Sequence, residues 1–328
     1  MTGTTAPLLE VEDLRTHFAL RGGTLKAVDG VSFSVMPGRT LCIVGESGSG
    51  KSATALSVMR LIDPPGRIVG GRLLFNGRDL MGLSESEMEA IRGNRVAMVF
   101  QNPMTSLDPS FRIGDQIAET ILTHERVTKD EARGRAMRLL QSVGIPDAAR
   151  RYKDYPHQFS GGMRQRALIA AAIACRPDVL IADEPTTALD VTIQAQILRL
   201  LRDLQRQMNS ALILITHDLG VVAAMADEVM VMYAGRVVEH GDVDTIFHAP
   251  RHPYTVGLLH SLVRLEDSRR SALKPIPGVP PSPINLPRGC SFRPRCTRAI
   301  ERCAGEFPAL APVSEGQRVA CHRANDAA

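Results

Sequence analysis

The sequence predicts an α/β protein with a mostly parallel sheet, and two observations carry that prediction. Three short runs are apolar at every position: LCIV (41–44), VLIA (179–182) and LILI (212–215). Parallel strands that are buried on both faces show this pattern. Segments with helical periodicity lie between the runs, at 51–62 and 191–208. Such alternation of strand and helix predicts right-handed crossovers within one sheet.

The first third of the chain predicts a second, antiparallel β-region. The segments at 9–20 and 27–36 alternate apolar with polar residues, as half-buried antiparallel strands do. Asn76-Gly77 is the signal of a two-residue hairpin turn. A capping box in the segment SESE predicts that a helix begins there.

The middle of the chain, about 103–158, predicts a helical insertion between two halves of the sheet. Its clearest helical segments are 113–124 and 129–144, and a glycine stops the second of them. The residue pattern of this part of the chain therefore differs from that of the strand-rich regions before and after it.

We expect a domain boundary near residue 250. The segment 274–289 is rich in proline and is therefore predicted to be extended and irregular. The chain then divides into a domain over 1–250 and a C-terminal extension over 251–328. No internal repeat is visible in the sequence.

Composition and charge exclude some classes of protein. The chain has 328 residues, of which 44% are hydrophobic and 23% charged, and its formal net charge is +4. This mild charge does not indicate a nucleic-acid-binding protein, whose basic residues cluster more strongly. The N-terminus lacks the pattern of a signal peptide, and the longest apolar run, 167–175, is about half of a membrane span. We therefore expect a chain that docks onto a membrane partner without crossing the membrane, with Cys42 and Cys175 as core residues.

A glycine-rich segment, GESGSGKS, connects the first apolar run to the first helix and fits the phosphate-loop pattern. Glycines let backbone N–H groups crowd around phosphate oxygens, and the helix N-terminus adds partial positive charge. Lys51 is placed to reach the β- and γ-phosphates, and Ser52 to ligate Mg²⁺. The alternative, a glycine-rich turn that binds nothing, is disfavoured by the flanking strand and helix. The predicted binding residues are Gly45, Glu46, Ser47, Gly48, Ser49, Gly50, Lys51, Ser52 and Ala53.

Two further segments offer chemistry to a bound nucleotide. Asp183 and Glu184 end a buried run, where Asp183 can hold Mg²⁺ and Glu184 can polarise the attacking water. A carboxylate pair at the end of a strand often only belongs to a solvated loop. The functional interpretation depends on the order of the motifs, because the pair follows the phosphate loop on a second buried strand. Ser160, Gly161 and Gly162 precede a long helix whose N–H groups form a second anion site. Taken alone, a capped helix with a flexible lead-in explains the same three residues.

Together these segments resemble the nucleotide-binding subunits of ABC transporters over nearly the whole chain. The family's signature motif is typically Leu-Ser-Gly-Gly-Gln, and here Phe159 and Met163 depart from it. The wider segment SGGMRQR resembles the oligopeptide/dipeptide importer branch. Gln101 resembles the Q-loop glutamine, Asp190 ends a TTALD segment that resembles the D-loop, and His217 resembles the switch histidine. A lone histidine after a strand is more often structural, but the order of the motifs favours the functional role.

The resemblance implies the fold of an ABC cassette, with a RecA-like core, an antiparallel β-subdomain and a helical subdomain. It also implies that two subunits close around two ATP molecules, each held between one phosphate loop and the other subunit's signature helix. Gln101 would link Mg²⁺ and the attacking water to the transmembrane partner. Glu184 would act as general base, and His217 would hold the γ-phosphate. Phe18 would stack on adenine, the alternative being a strand residue packed in the β-subdomain core.

The segments 251–262 and 275–283 resemble the C-terminal extension of dipeptide/oligopeptide importer ATPases, most closely their D-type subunit. This implies two transmembrane permeases, a homologous F-type ATPase and, indirectly, a periplasmic or lipid-anchored peptide-binding protein as partners, and no nucleic acid. The chain would lie on the cytoplasmic face of a bacterial inner membrane and power peptide import. Nickel chelates and glutathione are alternative cargoes, and a non-transport ABC ATPase is an alternative function. A P-loop kinase or GTPase is excluded by the signature helix and His217.

Four cysteines gather in the tail with the spacing C-x5-C-x6-C-x17-C: Cys290, Cys296, Cys303 and Cys321. Zinc sites usually contain close C-x2-4-C pairs, which are absent here, whereas the spacings of iron–sulfur ligands vary more. The tail resembles that of peptide-importer ATPases in which four cysteines hold a [4Fe–4S] cluster; Zn²⁺ and a tail without metal are the alternatives. A bound metal would supply folding free energy to a short tail that has few large apolar residues. We expect this group to lie far from the ATP chemistry, and its arginines to counter thiolate charge or to form a solvated face.

Overall fold

The structure is a computed structural model that describes residues 6–187, 189–261 and 276–326. Ala188, Leu262 and Pro275 lie outside the described residues. The strands, in chain order, are β1 (Leu9–Leu20), β2 (Gly23–Val35), β3 (Thr40–Val44), β4 (Gly66–Phe75), β5 (Arg78–Asp79), β6 (Val96–Val99), β7 (Val179–Asp183), β8 (Ala211–Thr216), β9 (Glu228–Tyr233), β10 (Arg236–Asp242), β11 (Ala311–Ser314) and β12 (Gln317–Val319).

The helices alternate with these strands through most of the chain. They are α1 (Lys51–Val58), α2 (Glu85–Glu89), α3 (Pro103–Ser106), α4 (Ile113–His124), α5 (Lys129–Ser142), α6 (Ala148–Arg151), α7 (Gly161–Ala172), α8 (Val191–Met208), α9 (Leu219–Met225), α10 (Val243–His248), α11 (Pro253–His260) and α12 (Arg302–Gly305). Short 3₁₀ turns lie at Pro156–Gln158 and Arg293–Arg295. No helix of the described residues is both long and apolar enough to cross a membrane.

The chain divides into two compact units. The first unit contains the described residues of 1–9, 35–39 and 74–215, and the second contains those of 10–34, 40–73 and 216–328. The chain therefore passes between the units several times, and each unit has strands and helices of its own.

The first unit is built on the parallel strands β6, β7 and β8. β6 pairs with β7 from Val96 opposite Val179 onward, and β7 pairs with β8 from Val179 opposite Ala211 onward. Every residue of these three strands is buried. The prediction of parallel strands buried on both faces is therefore confirmed for the VLIA and LILI runs. β6 is a further strand of the same kind.

Helices α4, α5 and α7 of the first unit pack against one another. α4 buries Ile113, Ile117 and Ile121, which recur every fourth residue and therefore form one apolar stripe. Leu140 of α5 is fully buried as well. The middle of the chain is thus helical, as the sequence predicts, because two amphipathic helices bury matching faces.

Two local signals in the sequence have the predicted geometry. Asn76 and Gly77 have φ values of 49° and 75° and connect the antiparallel strands β4 and β5, as a type I′ hairpin turn requires. Ser84 and Glu87 form a complete capping box at the start of α2. Local hydrogen bonding and the conformational freedom of glycine are sufficient to fix both features.

The second unit carries neighbouring strands in the order β11-β12-β10-β9-β3. β3 is parallel to β9, and the other neighbouring pairs are antiparallel. Val319 of β12 lies opposite Glu239 of β10, so the C-terminal tail adds strands to this sheet. A further sheet contains β2, β1 and β4 in that order, so this part of the chain is the β-region that the sequence predicts.

Two predictions about the elements need correction. The helix expected over 51–62 ends before Arg60, because Arg60 has a φ of 52° and so lies in the left-handed region. Cys42 is fully buried as predicted, but Cys175 is only half-buried. The Cys175 thiol donates a hydrogen bond to the carbonyl oxygen of Thr120 at 3.8 Å. Its surroundings are therefore partly polar.

Truncation of Leu140 tests the packing between the helices of the first unit. Leu140→Ala removes a fully buried side chain, so we expect the free energy of unfolding to fall by about 2–5 kcal/mol. Leu122→Ala is the matched control, because Leu122 of α4 is 37% exposed and should cost about 0.5 kcal/mol. Urea unfolding followed by circular dichroism compares the two variants. Equal losses in both would contradict the packing described for α5.

Candidate active site

The phosphate loop lies in the second unit, between the fully buried strand β3 and helix α1. Gly45, Gly48 and Gly50 have φ values of 155°, 77° and 103°. A Cβ on Gly45 would lie 2.3 Å from the carbonyl oxygen of Met232, and one on Gly50 would lie 2.2 Å from that of Ala27. Gly45 and Gly50 must therefore be glycine for two reasons. Their φ values are positive, and the backbone of another segment leaves no room for a side chain.

The side chain of Lys51 reaches back to the loop that precedes it. Its buried ammonium group donates hydrogen bonds to the carbonyl oxygens of Gly45 at 2.8 Å and Glu46 at 3.1 Å. Ser47 is exposed, whereas Ser49 is buried and its hydroxyl has no hydrogen-bond partner among the described residues. A buried hydroxyl without a partner costs free energy that a ligand can restore. The loop therefore has the features of a site for phosphate oxygens.

The C-terminal part of the chain contacts this loop at Glu46. The backbone N–H of Glu46 donates to the phenol oxygen of Tyr254 at 2.8 Å. The Glu46 carboxylate accepts two hydrogen bonds from Arg295, at 2.6 and 3.0 Å. Arg295 directly precedes Cys296, so the cysteine segment contacts the phosphate loop through this side chain. The distance of the cysteines themselves from the ATP chemistry stays a prediction. For Arg295 both expected roles are wrong, because its side chain is 4% exposed and pairs with a carboxylate of the loop.

The acidic residues lie in the first unit, at the end of β7. Asp183 is buried, and Glu184 has a φ of 44°, which is strained for a residue other than glycine. The Glu184 carboxylate accepts hydrogen bonds from the Gln101 amide and the Thr187 hydroxyl, both at 2.9 Å. Its backbone N–H donates to the Ile215 carbonyl at 2.9 Å. The structure thus brings together Gln101 and Glu184, which are 83 residues apart.

The signature segment begins helix α7 of the first unit. Ser160 caps this helix, since its hydroxyl accepts a hydrogen bond from the N–H of Met163 at 3.3 Å. Gly161 is exposed, and a Cβ on Gly162 would lie 2.9 Å from a methyl group of Ile193. Phe159, which directly precedes Ser160, is buried. The helix end is thus open to an anion on the side where Ser160 and Gly161 are exposed.

The remaining predicted site residues lie at the ends of other elements. Asp190 caps α8 by accepting a hydrogen bond from the N–H of Ile193 at 3.0 Å. His217 follows β8 and is exposed. Phe18 is half-buried, and a Cβ on Gly66 would lie 2.4 Å from its ring. This contact agrees with the strand-packing alternative, so the role of Phe18 in adenine binding stays a prediction.

Sequence reasoning missed three residues that touch the site. Thr187 is part of the TTALD segment, so its position next to the carboxylates was visible in the motif. Tyr254 belongs to the segment 251–262, which the sequence marks only by its resemblance to the C-terminal extension of importer ATPases. Arg295 has no local signal, because its partner Glu46 lies 249 residues away.

The four tail cysteines are free thiols in the second unit. The backbone N–H of Cys290 donates to the carbonyl oxygen of Cys303 at 2.9 Å. Burial, together with the charges of Cys303 and Cys296, raises the pKa of Cys290 to about 11. The pKa of Cys321 is likewise raised, first by burial and then by the charges of Cys296 and Cys303. Within the described residues, however, no group of three or more His, Cys, Asp or Glu forms a metal site.

A buried polar group supports Tyr254 behind the phosphate loop. His252 is 1% exposed, caps helix α11, and accepts a hydrogen bond from the N–H of Tyr254 at 3.1 Å. Burial lowers the pKa of His252 to about 3, so its ring is neutral. The Glu239 carboxylate accepts hydrogen bonds from the backbone N–H groups of Arg251 and His252. Burial raises the pKa of Glu239.

Comparison with known proteins gives matches to two family models and to solved structures. Residues 28–187 match the family model described as ABC transporter, and residues 238–303 match that of the oligopeptide/dipeptide transporter C-terminal region. Among solved structures, the bacterial ABC transporter cassette MJ0796 has a TM-score of 0.65 at 25% identity and covers 72% of this chain and 98% of its own. The protein cbiO1 from Clostridium perfringens has a TM-score of 0.62 at 27% identity, covering 74% and 91%.

Curated relatives match nearly the full length of the chain. It is 50% identical over 327 residues to the oligopeptide transport ATP-binding protein OppD of Salmonella typhimurium, which covers 98% of this chain and 97% of that protein. It is 53% identical over 315 residues to the dipeptide transport ATP-binding protein DppD of Escherichia coli, with 96% of each covered. The chain therefore belongs to the ABC transporter family of ATPases. Within that family it carries the C-terminal region of the oligopeptide/dipeptide branch.

The neutral state of His252 predicts a pH dependence of stability. An exposed histidine titrates near pH 6.5, so below that pH the unfolded chain binds more protons at this residue than the folded chain does. The free energy of unfolding should therefore decrease as pH falls from 6.5 towards 3, by up to about 1.4 kcal/mol per pH unit. His252→Asn keeps a capping side chain and removes this dependence.

Chemical denaturation at constant ionic strength measures the difference between the two proteins. Relative to His252→Asn, the wild type should lose about 2 kcal/mol of unfolding free energy between pH 7 and pH 5. Glu239 has a raised pKa and contributes with the opposite sign, but it is present in both proteins. Parallel curves for the two proteins would show that His252 is not a buried neutral group.

Proposed function

We propose that this chain is the ATP-hydrolysing subunit that powers import of dipeptides or oligopeptides through a membrane ABC transporter. The observation that carries the proposal is the similarity to the oligopeptide and dipeptide transport ATP-binding proteins, which extends over at least 96% of the chain. It includes the C-terminal region that is described for oligopeptide/dipeptide transporters. The cassette alone does not carry cargo information, so this region is what favours peptides.

We further propose the partners and the place of action. Two transmembrane permeases, a homologous F-type ATPase and, indirectly, a peptide-binding protein complete the transporter, on the cytoplasmic face of the inner membrane. A dimeric structure of the MJ0796 cassette supports pairing of two ATPase subunits. In this proposal residues 1–250 form the nucleotide-binding domain, with a helical subdomain at about 103–158, and residues 251–328 form the extension.

The proposed ATP site combines the phosphate loop with residues of the other motifs. Lys51 and the N–H groups of the phosphate loop bind the phosphates, and Phe18 stacks on adenine. The oxygen atoms of Ser52, Gln101 and Asp183 are suitable donors for Mg²⁺, which prefers oxygen ligands. When bound, Mg²⁺ would neutralise charge on the phosphates.

Glu184 is the proposed general base, and its surroundings fit that role. The hydrogen bonds from Gln101 and Thr187 orient the carboxylate. His217 holds the γ-phosphate in the proposal. Because Gln101 contacts both Glu184 and, in the proposal, the permease interface, it can pass a change at that interface to the base.

The signature helix is proposed to serve the ATP of the second subunit. Ser160, Gly161 and Gly162 present the start of α7, which can bind the phosphates of a nucleotide held by the partner. Asp190, which caps α8, belongs to the same proposed interface. One chain then carries two phosphate-binding ends because each end acts on a different ATP.

Substitution of the proposed base separates chemistry from binding. Glu184→Gln keeps the hydrogen-bonding shape but cannot accept the proton of water, so ATP turnover should fall by about 100-fold or more. ATP binding should be retained. Lys51→Ala removes the phosphate-contacting ammonium group, and the dissociation constant for ATP should rise about 10-fold or more. Glu119→Gln, an exposed change on α4, is the control.

Phosphate release and equilibrium binding of a fluorescent ATP analogue measure these effects. Turnover by Glu184→Gln at the rate of the control would refute the assignment of the base. Unchanged affinity in Lys51→Ala would refute the assignment of the loop. Reconstitution with the permeases then tests the cargo: stimulation of ATP turnover by a peptide-loaded binding protein supports import of peptides. Stimulation only by a nickel chelate or glutathione, or no association with permeases, supports the alternative functions.

We also propose that Cys290, Cys296, Cys303 and Cys321 take up a [4Fe–4S] cluster, with Zn²⁺ as the alternative. Four thiolates are a complete ligand set for either, and the mutual effect on their pKa values indicates that these sulfurs are neighbours. They do not form a ligand group as they lie in the described residues, so uptake would require the thiols to approach. A bound group would supply folding free energy to the tail.

Metal analysis tests this second proposal. We expect protein purified without oxygen to contain iron and acid-labile sulfide, and a Cys290→Ser/Cys296→Ser variant to lose both. Cys175→Ser is the matched control, because Cys175 lies in the first unit and outside the tail. Zinc in place of iron would support the alternative group. Absence of any metal from the wild type would refute the proposal.

A further inference from the structure

The cysteine segment, residues 289–303, reaches the phosphate loop through one side chain. Arg295 lies directly before Cys296 and forms a paired hydrogen bond with Glu46, the second residue of the loop. We propose that Arg295 is a positioning residue for the phosphate loop, through which the cysteine segment sets the affinity of the loop for nucleotide. This inference rests on the proposed function of the loop as an ATP site.

The contact between Arg295 and Glu46 has the geometry of a strong ion pair. The two terminal nitrogens of the guanidinium group donate to the two carboxylate oxygens, at 2.6 and 3.0 Å. The side chain of Arg295 is 4% exposed and that of Glu46 is 28% exposed. Charge-assisted pairs of this kind are about twice as strong as neutral hydrogen bonds, and they fix orientation as well as distance.

The guanidinium group has partners on its other sides too. Its Nε donates to the carbonyl oxygen of Pro277 at 2.9 Å, and one terminal nitrogen lies 3.4 Å from the phenol oxygen of Tyr233. It also lies 5.9 Å from the ring centre of Tyr233 and 6.0 Å from that of Phe292. Arg295 is therefore held in place independently of Glu46 and can act as a fixed support.

On the loop side, Glu46 is restrained at three points. Its carboxylate binds Arg295, its backbone N–H donates to Tyr254, and its carbonyl oxygen accepts from the ammonium group of Lys51. A change in the position of Glu46 therefore changes the position of Lys51. Lys51 is the residue that is proposed to bind the β- and γ-phosphates, so the ion pair bears on nucleotide affinity directly.

On the tail side, the position of Arg295 is set by a short folded turn. The backbone N–H groups of Arg293 and Arg295 donate to the carbonyl oxygens of Cys290 and Phe292, both at 3.0 Å. The N–H of Cys296 then donates to the carbonyl oxygen of Arg293 at 3.2 Å. Distortion of the turn between Cys290 and Cys296 would therefore displace the guanidinium group.

Apolar packing holds this turn against the rest of the second unit. The ring of Phe292 lies 5.2 Å from that of Tyr233 and 5.5 Å from that of Tyr254. Tyr254 is also the residue that accepts the N–H of Glu46. The turn and the loop thus share two supports, one ionic and one aromatic, so the state of one is coupled to the state of the other. Such coupling is reciprocal for binding free energies.

Equilibrium binding of a fluorescent ATP analogue to the full chain tests the proposal. Arg295→Gln should raise the dissociation constant about 10-fold, because the loop loses its charged support. Arg295→Lys keeps the charge without the paired geometry and should give an intermediate value. Arg302→Gln is the matched control: Arg302 pairs with Glu306 in the same part of the tail, and both side chains are more than half exposed. It should bind like the wild type.

A double-mutant cycle keeps the test independent of general destabilisation. If Arg295 acts through Glu46, the Arg295→Gln/Glu46→Gln pair should bind no more weakly than the weaker single variant. Additive losses would overturn the proposal, as would wild-type affinity in Arg295→Gln. If Arg295→Gln does not fold, Arg295→Lys and Glu46→Gln carry the comparison, and equal binding by both and by the wild type would overturn it.

Hydrogen exchange supplies a readout that a merely structural role would not change. Saturating nucleotide should slow amide exchange in residues 290–296 of the wild type, and should not do so in Arg295→Gln. Equal protection in both proteins would count against the coupling. Failure of the proposed function gives a different pattern: the wild type would not bind the analogue, or Lys51→Ala would bind it equally well.

Discussion

The close approach of backbone at the phosphate loop is the constraint on which the second unit depends. Gly45 and Gly50 of the loop lie so close to the carbonyl oxygens of Met232 and Ala27 that neither position has room for a Cβ. Those oxygens belong to the end of β9 and to β2, so two different sheets must meet at the loop. Side chains at Gly45 or Gly50 would separate them. The sheet positions, the loop and the start of α1 are thus fixed together.

The C-terminal tail is structurally part of this unit. β12 pairs with β10, and the buried amide of Gln317 donates to the Glu239 carboxylate at 2.9 Å. Glu239 in turn holds the start of α11, where Tyr254 reaches the loop. A short tail with few large apolar residues gains its stability in this way, by adding strands and aromatic rings to an existing core. Any bound metal would add to that stability and would not have to supply all of it.

The first unit holds the carboxylate of Glu184, the proposed base, in a different way. Glu184 adopts a strained backbone conformation, and hydrogen bonds compensate for that strain. Its carboxylate accepts from Gln101 and Thr187, and its backbone N–H donates to the carbonyl oxygen of Ile215. Strain of this kind persists only where the surroundings determine the conformation. The side chain of Gln101, the proposed link to the transmembrane partner, is exposed, whereas Asp183, which directly precedes Glu184, is buried. The proposed base is therefore held by its surroundings, whereas the proposed contact with the partner lies at the surface.

The sequence by itself determined the features that depend on neighbouring residues. These are the apolar strands, the helix caps at Ser84 and Ser160, the Asn76-Gly77 turn and the glycine-rich loop, because periodicity, capping and glycine conformations are local physics. Only the tertiary structure decided which distant residues meet. The ion pair of Arg295 with Glu46 joins residues 249 positions apart, and no local pattern shows that these two residues pair. The edge pairing of β12 on β10 is of the same kind, since strand order follows from packing and not from the pattern of a single strand.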